Sequence, residues 1–299
     1  NSLKICEAYQ QRDSRVRVLS QKNSGPGAAR NKGILETRTP WLCFLDSDDL
    51  IGPKYIGEFF AHGIPEQNTL VLQGMRIMTD LGREPLSTIA YPDKLITPDE
   101  VDTLIPRYQI LHSGYPFLKL YSTELIRSHS LQFDTSISFH EDHLFVLTYM
   151  LYVKQILLRS STEYSYIQHL GSLSKRLHPY QESEHSLARL RTAFDKAIDH
   201  FNIRDTHYRQ DINGFLRGTL LRTIEYAYRG QTSGPEQKAL LERLSSYRKD
   251  IASASTNPAS PSRERILCWI YLYLPIPLQH LLFNAYYSLL KGYHHLRKK

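Results

Sequence analysis

The sequence predicts an α/β fold with a mostly parallel sheet, followed by a helical C-terminal region. Three observations predict it. Apolar runs and helix-period segments alternate from residue 1 to about 165. The run "WLCFLD" (41–46) is unbroken, as suits a strand buried on both faces. After residue 180 the pattern turns to long amphipathic helices.

The opening "NSLKICEAYQQR" reads as a helix, with Leu3, Ile5, Ala8 and Tyr9 apolar and Ser2 as its cap. The chain is therefore expected to begin inside a fold. "VRVLS" (16–20) reads as a short strand. In "QKNSGPGAARNKGI", Ser24 or Asn23 is the expected N-cap, and Pro26 and Gly27 occupy the first turn. "WLCFLD" is the next strand, and Pro53 is expected to open a helix. "TLVLQG" and "RIMT" are further strands. "TPDEVDTLI" carries helix-start signals in Thr97, Pro98 and Glu100. Leu187, Leu190, Phe194, Ile198 and Phe201 fall on one helical face. Ile212, Phe215, Leu216, Leu220 and Ile224 repeat that spacing.

Composition excludes several classes. At 41% hydrophobic and 22% charged, the 299 residues are globular rather than disordered. The net charge is +7, but Lys291, Arg297, Lys298 and Lys299 lie in the last nine residues, so no nucleic-acid footprint is expected. Three scattered cysteines, Cys6, Cys43 and Cys268, give neither a disulfide framework nor a zinc site.

Two acidic clusters carry the chemistry. Asp46, Asp48 and Asp49 stand at the end of a strand, where ligands of α/β sheets bind. Three like charges repel unless a cation or hydrogen-bond donors compensate them. Mg²⁺ takes one or two protein carboxylates and completes its shell with phosphate oxygens. The bland alternative is a helix cap and a solvated loop. In "FHEDHLF", Glu141 and Asp142 open a helix, where the dipole favours acidic side chains and keeps a general base ionised. His140 and His143 are three apart, which does not fit the HExxH zinc spacing.

Residues 266–290 contain no Asp, Glu, Lys or Arg and are broken by Pro275 and Pro277. They are expected to form two half-helices in a membrane interface, with Trp269 and several tyrosines at headgroup depth. A helical pair packed on the protein's own core is the alternative, and a membrane span is the least favoured reading.

Taken in order, "QKNSGPGAARNKGI", "WLCFLDSDDL", "GYPFLKLYSTELI", "FHEDHLF" and "YSYIQHLGSLS" resemble a family 2 glycosyltransferase of the GT-A fold, of the bacterial surface-polysaccharide type. The resemblance covers about residues 1–176. It implies an inverting transfer from a nucleotide-diphospho-sugar donor to a glycan or lipid-linked acceptor. Asp46 and Asp48 would serve the donor and a Mg²⁺ or Mn²⁺ ion. Lys22, Arg30 and Asn31 would line the donor. Asp142 would be the base with Glu141 beside it, and Lys119 would lie on the acceptor side. The loop 171–180 would act as a lid.

The resemblance also implies that a first βαβ piece is absent, which would leave a sheet edge unpaired. The expected sections are a GT-A domain (1–176), a helical extension (177–252), a linker (253–262) and an apolar, basic anchor (263–299). The anchor would hold the protein peripherally against anionic lipid at the cytoplasmic face of the plasma membrane. The other readings are a nucleotidyltransferase, or an inactive binding module that kept the fold.

Overall fold

The computed structural model describes residues 2–79, 84–137, 139–168, 177–254 and 261–296, with side chains through Lys291. Most of the expected lid and linker, and residues 297–299, lie outside the described residues.

The opening helix α1 (Ser2–Arg12) forms as expected, but buries none of its residues. Leu3, Ile5 and Tyr9 are exposed. Contrary to the expected strand, residues 16–20 join no ladder among the described residues. Helix α2 (Gly25–Glu36) follows. Ser24 holds the N-cap position without a capping bond, while Asn23 Oδ1 accepts the Gly25 amide at 3.2 Å. Strand β1 is only Trp41–Leu42. Residues 41–44 are half-buried and Leu45 is exposed, so this run is an edge rather than a strand covered on both faces. Strand β2 (Leu50–Ile51) and the short helix α3 (Tyr55–Glu58) come next, with Pro53 in the turn ahead of α3.

The strand buried on both faces is β3 (Thr69–Leu72), with every residue buried. Strands β4 (Met75–Thr79), β5 (Ser87–Ile89) and β6 (Lys94–Ile96) precede helix α4 (Val101–Arg107). Thr97 and Glu100 bond to each other, and α4 starts after them. Then come strand β7 (Lys119–Ser122), helix α5 (Thr123–Ser128), helix α6 (Glu141–Met150), and strands β8 (Gln155–Leu158) and β9 (Tyr164–Gln168).

These strands form two mixed sheets, ordered β1-β7-β3-β8-β6 and β2-β9-β4-β5. The expectation of a mostly parallel sheet is met only at β3·β8 and β4·β9; the other five pairings are antiparallel. Parallel neighbours need a long crossover. Here the parallel pairs join residues 86 and 89 positions apart, whereas sequence neighbours such as β4 and β5 turn back on each other. β1 ends its sheet, and among the described residues no strand covers its outer edge.

Tyrosine is abundant in the sequence, and the core shows one use for it. Tyr55, Tyr121, Tyr149 and Tyr208 are buried. Their hydroxyls satisfy backbone groups: Tyr55 accepts from the Leu118 amide at 3.2 Å, Tyr149 from Ser122 at 2.8 Å and Tyr208 from Leu111 at 3.0 Å, while Tyr121 donates to the Pro116 carbonyl at 2.9 Å. A buried ring thus fills volume while its polar tip pairs with the chain.

The helical region begins with α7 (Tyr180–His200) and α8 (Thr206–Arg229), which bury the apolar faces read from their spacing. Asp205 caps α8 by accepting the amides of His207 and Tyr208. Helix α9 (Gly234–Leu244) carries a Ser233–Glu236 capping box. After α10 (Arg248–Ala252) come α11 (Ser262–Tyr273) and α12 (Ile276–Leu296), which bend apart at Pro275. This pair buries Tyr271, Gln279, Phe283 and Tyr287, and His280 Nδ1 hydrogen-bonds the Tyr228 hydroxyl of α8 at 2.9 Å. Its other face leaves Trp269, Tyr273 and Leu281 in solvent. Among the described residues, no helix is long and apolar enough to cross a membrane.

Candidate active site

The site is assembled where α2, the turn after β1 and the start of α6 meet. Gly25 begins α2 in the left-handed region, at φ 84°. Gly27 then lets the helix approach closely: an added Cβ would lie 3.2 Å from Phe133 Cβ and 3.4 Å from Glu141 Cγ. One turn later, Arg30 lies over the Phe133 ring, 5.4 Å from its centroid. Its guanidinium donates to Asp46 Oδ1 at 2.8 Å and sits 3.9 Å from Glu141 Oε1. A cavity of about 220 Å³ lies against the first turn of α2, residues 134–137 and Glu141.

Asn31 takes up different work from the donor contact expected of it. Its amide donates to the Phe133 carbonyl and accepts the Phe133 amide, both at 2.8 Å, so it fixes α2 to the chain opposite. Lys22 is exposed ahead of α2.

Hydrogen-bond donors offset the crowding of the three aspartates. Arg30 takes one oxygen of Asp46. Asp49 accepts from the Tyr164 hydroxyl at 2.5 Å and from the Ile167 amide at 2.8 Å. Asp49 therefore ties the turn to β9 and does not cap the helix at Pro53. Burial raises its pKa, and these two bonds pull it back. Asp48 remains exposed.

Among the described residues, no cluster of three or more His, Cys, Asp or Glu side chains could hold a metal ion. What remains is a hard-oxygen pair, Asp48 with Asp46. That suits Mg²⁺ or Mn²⁺ only if a ligand's phosphate oxygens complete the shell.

The second cluster is held in a strained frame. His140 sits at φ 67° immediately before Glu141, and Leu118 at φ 68° immediately before Lys119. Such angles are costly for side chains of this size. The helical region supports the His140 end: its Nε2 meets Thr219 Oγ1 at 3.2 Å, and Ser186 donates to the Phe139 carbonyl at 2.7 Å. His143 Nε2 is 2.7 Å from the Leu111 carbonyl, so that nitrogen carries the proton. Burial pushes His143 down to about 4 and His140 to about 3, so both are neutral at physiological pH.

Asp142 is half-buried and accepts the His143 amide at 2.7 Å. Burial pushes its pKa up to about 6, with the Glu141 charge adding to the shift. Glu141 is raised by burial too, and Arg30 opposes this. The result is a carboxylate that is ionised at neutral pH and basic enough to take a proton.

Lys119 is fully buried, so its ammonium is not offered to a substrate from solvent. It donates to Ser113 Oγ at 3.0 Å and to the Tyr115 carbonyl at 2.6 Å. Burial brings its pKa down to about 7, while the Asp142 charge works the other way. The structure also brings in residues that composition and spacing did not single out: Tyr115, Tyr164 and Tyr166. The alternation in "EYSYIQ" was the available signal, because residues two apart share one face of a strand.

Carboxylates at a sheet edge beside an acidic helix start fit a glycosyltransferase of the GT-A fold. Residues 1–127 of the 299 match the model of glycosyl transferase family 2. EpsH of Bacillus subtilis (strain 168), a glycosyltransferase by name, is 27% identical over 278 residues, covering 88% of this chain and 77% of EpsH. The poly(ribitol-phosphate) beta-glucosyltransferase of Bacillus spizizenii (strain ATCC 23059 / NRRL B-14472 / W23) is 26% identical over 169 residues, 56% of this chain and 25% of its own. The crystal structure of S. aureus TarS 1-349 in complex with UDP-GlcNAc superposes with a TM-score of 0.56 at 19% identity. It covers 96% of this chain and 79% of TarS 1-349, a likeness of fold.

Proposed function

We propose that this glycosyltransferase moves a sugar, with inversion, from a nucleoside-diphosphate sugar to a hydroxyl of a glycan or lipid-linked acceptor in cell-surface polysaccharide synthesis. The observation that carries the reading is the Arg30 bridge between Asp46 and Glu141. It sets the acidic turn of the sheet beside the helix start that bears Asp142.

Asp142 takes the proton of the acceptor hydroxyl. The oxygen attacks the anomeric carbon as the bond to the diphosphate breaks, and the electron pair leaves with the nucleoside diphosphate. Asp48 and Asp46 hold the diphosphate side. A Mg²⁺ or Mn²⁺ bound there with the diphosphate would offset the charge of the leaving group. Lys22, exposed ahead of α2, serves the same side. Lys119 acts from behind the site by fixing the 113–115 chain.

The UDP-GlcNAc bound by TarS supports a sugar nucleotide as donor, and the poly(ribitol-phosphate) beta-glucosyltransferase supports a polymer as acceptor. The outer face of α11 and α12 supports a peripheral seat on anionic lipid, at the cytoplasmic face of the membrane. Trp269 is 54% exposed and Leu281 62%, with Arg265 and Lys291 at the two ends.

The test uses the full-length protein with a panel of uridine, guanosine, thymidine and cytidine diphospho-sugars, Mg²⁺ or Mn²⁺, and glycan or lipid-linked acceptors. Metal-dependent release of nucleoside diphosphate with one donor, lost in Asp142→Asn, is the expected result. No turnover with any donor would point to a binding module instead.

A further inference from the structure

We propose that Tyr115 and Tyr166 form a wall that seats the apolar face of a pyranose ring between Asp142 and the 46–49 turn. This rests on the reading of the site as a glycosyl-transfer centre.

Four rings build the wall. Tyr115 and Phe117 lie on the chain entering β7. Tyr164 and Tyr166 stand two residues apart, and so on one face of β9. Phe117 stacks on Tyr164 with centroids 4.6 Å apart and planes within 1°, and on Tyr166 at 5.9 Å. Tyr115 stacks on Phe117 at 5.1 Å and tilts against Tyr166 at 6.0 Å. Phe117 and Tyr164 are buried. Tyr115 and Tyr166 are half-buried, so the layer ends in two accessible rings.

Both ends are tied to residues that neighbour the two acidic motifs. On one side, the Tyr164 hydroxyl and the Ile167 amide, which flank Tyr166, bind Asp49. On the other, the Tyr115 carbonyl accepts Lys119 Nζ at 2.6 Å. The charge of Asp142 reaches the Tyr115 hydroxyl, and those of Asp46, Asp48 and Asp49 reach the Tyr166 hydroxyl. Each adds to the effect of burial in keeping the phenol protonated.

The surroundings choose the ligand. Between a base and a diphosphate-binding turn lies the carbohydrate of the reaction. A pyranose offers a C–H face to an aromatic ring and hydroxyls to the phenols and carboxylates around it. That ring can belong to the donor or to the acceptor.

The experiment uses the full-length protein, the sugar nucleotide turned over in the donor panel, and Tyr115→Leu and Tyr166→Leu, which keep apolar bulk. It reads KM for donor and acceptor, kcat, and the Kd of the free nucleoside diphosphate by calorimetry. Thermal unfolding confirms that the variants are folded. The expected result is a KM about tenfold higher for one sugar substrate, with the nucleoside diphosphate Kd unchanged within about twofold. Whether donor or acceptor KM moves identifies the sugar. Variants with wild-type constants overturn the wall, and so does a nucleoside diphosphate Kd that rises in step, which would place a nucleobase there. A wild-type protein that turns over no sugar nucleotide overturns the transfer reading and the wall together.

Discussion

The Arg30 guanidinium holds Asp46 at 2.8 Å from helix α2, across 16 residues of chain. The same group lies 3.9 Å from Glu141. One cation therefore compensates two acidic motifs that are nearly 100 residues apart. Arg30→Ala should destabilise the fold by about 2 kcal/mol, as expected for a half-buried charged hydrogen bond, and should abolish transfer. Arg30→Lys should recover only part of either, because an ammonium lacks the planar fork. Urea unfolding and transfer rates on both variants check this.

The pH profile follows from Asp142. Its carboxyl is pushed up to about 6, so the basic form dominates above that pH. Transfer should rise as pH passes through about 6 and then level off. The stability effect has the opposite sign. A carboxyl whose folded pKa lies above its unfolded value stabilises the fold at low pH, and that stability is lost as pH rises through about 6. Asp142→Asn should therefore unfold at a higher temperature than wild type at pH 7.5, with the gap closing toward pH 4. The same variant should lose at least about a hundredfold in transfer rate.

Gly114 packs against the ring of His143, leaving no room for a Cβ, which would lie 2.7 Å from His143 Cβ. Gly114→Ala must move either the ring or the 111–115 chain that carries the partners of Lys119. A loss of about 1–3 kcal/mol in urea unfolding is expected, with reduced transfer.

Tyr164→Phe removes one of two donors to Asp49 while keeping the ring stack. It should cost about 1–2 kcal/mol of stability, since the carboxylate is half-buried. It should also weaken nucleoside diphosphate binding in metal, because the 46–49 turn loses an anchor to β9. Denaturation and calorimetry measure the two effects separately.

Much of this was legible in the sequence, and the exceptions have physical causes. The faces of α7 and α8 follow from a local period, so Leu187 and Leu216 were placed correctly. The acidic clusters were visible as charges needing compensation. The identity of their compensators was not: Tyr164 reaches Asp49 across 115 residues, and no spacing encodes a contact that range. Residues 41–45 read as a covered strand because an apolar run looks alike in a central strand and at a sheet edge. Asn31 and Lys119 have the right chemistry for a ligand, but their polar atoms are engaged with Phe133 and with Ser113 and Tyr115.

The outer face of α11 and α12 predicts lipid binding. The full-length protein should float with vesicles containing anionic lipid, and less so at high salt. Trp269→Asp with Leu281→Asp should abolish flotation without unfolding the protein, since both side chains are exposed. Equal flotation of this variant would refute the anchor.

The most direct test separates base from binding turn. The full-length protein, Asp142→Asn and Asp48→Asn are compared for kcat of sugar transfer and for the Kd of nucleoside diphosphate in Mn²⁺. A crossed pattern is predicted: Asp142→Asn loses kcat and keeps the Kd, whereas Asp48→Asn weakens the Kd. Turnover retained in Asp142→Asn, or a Kd lost equally in both variants, would contradict the assignment.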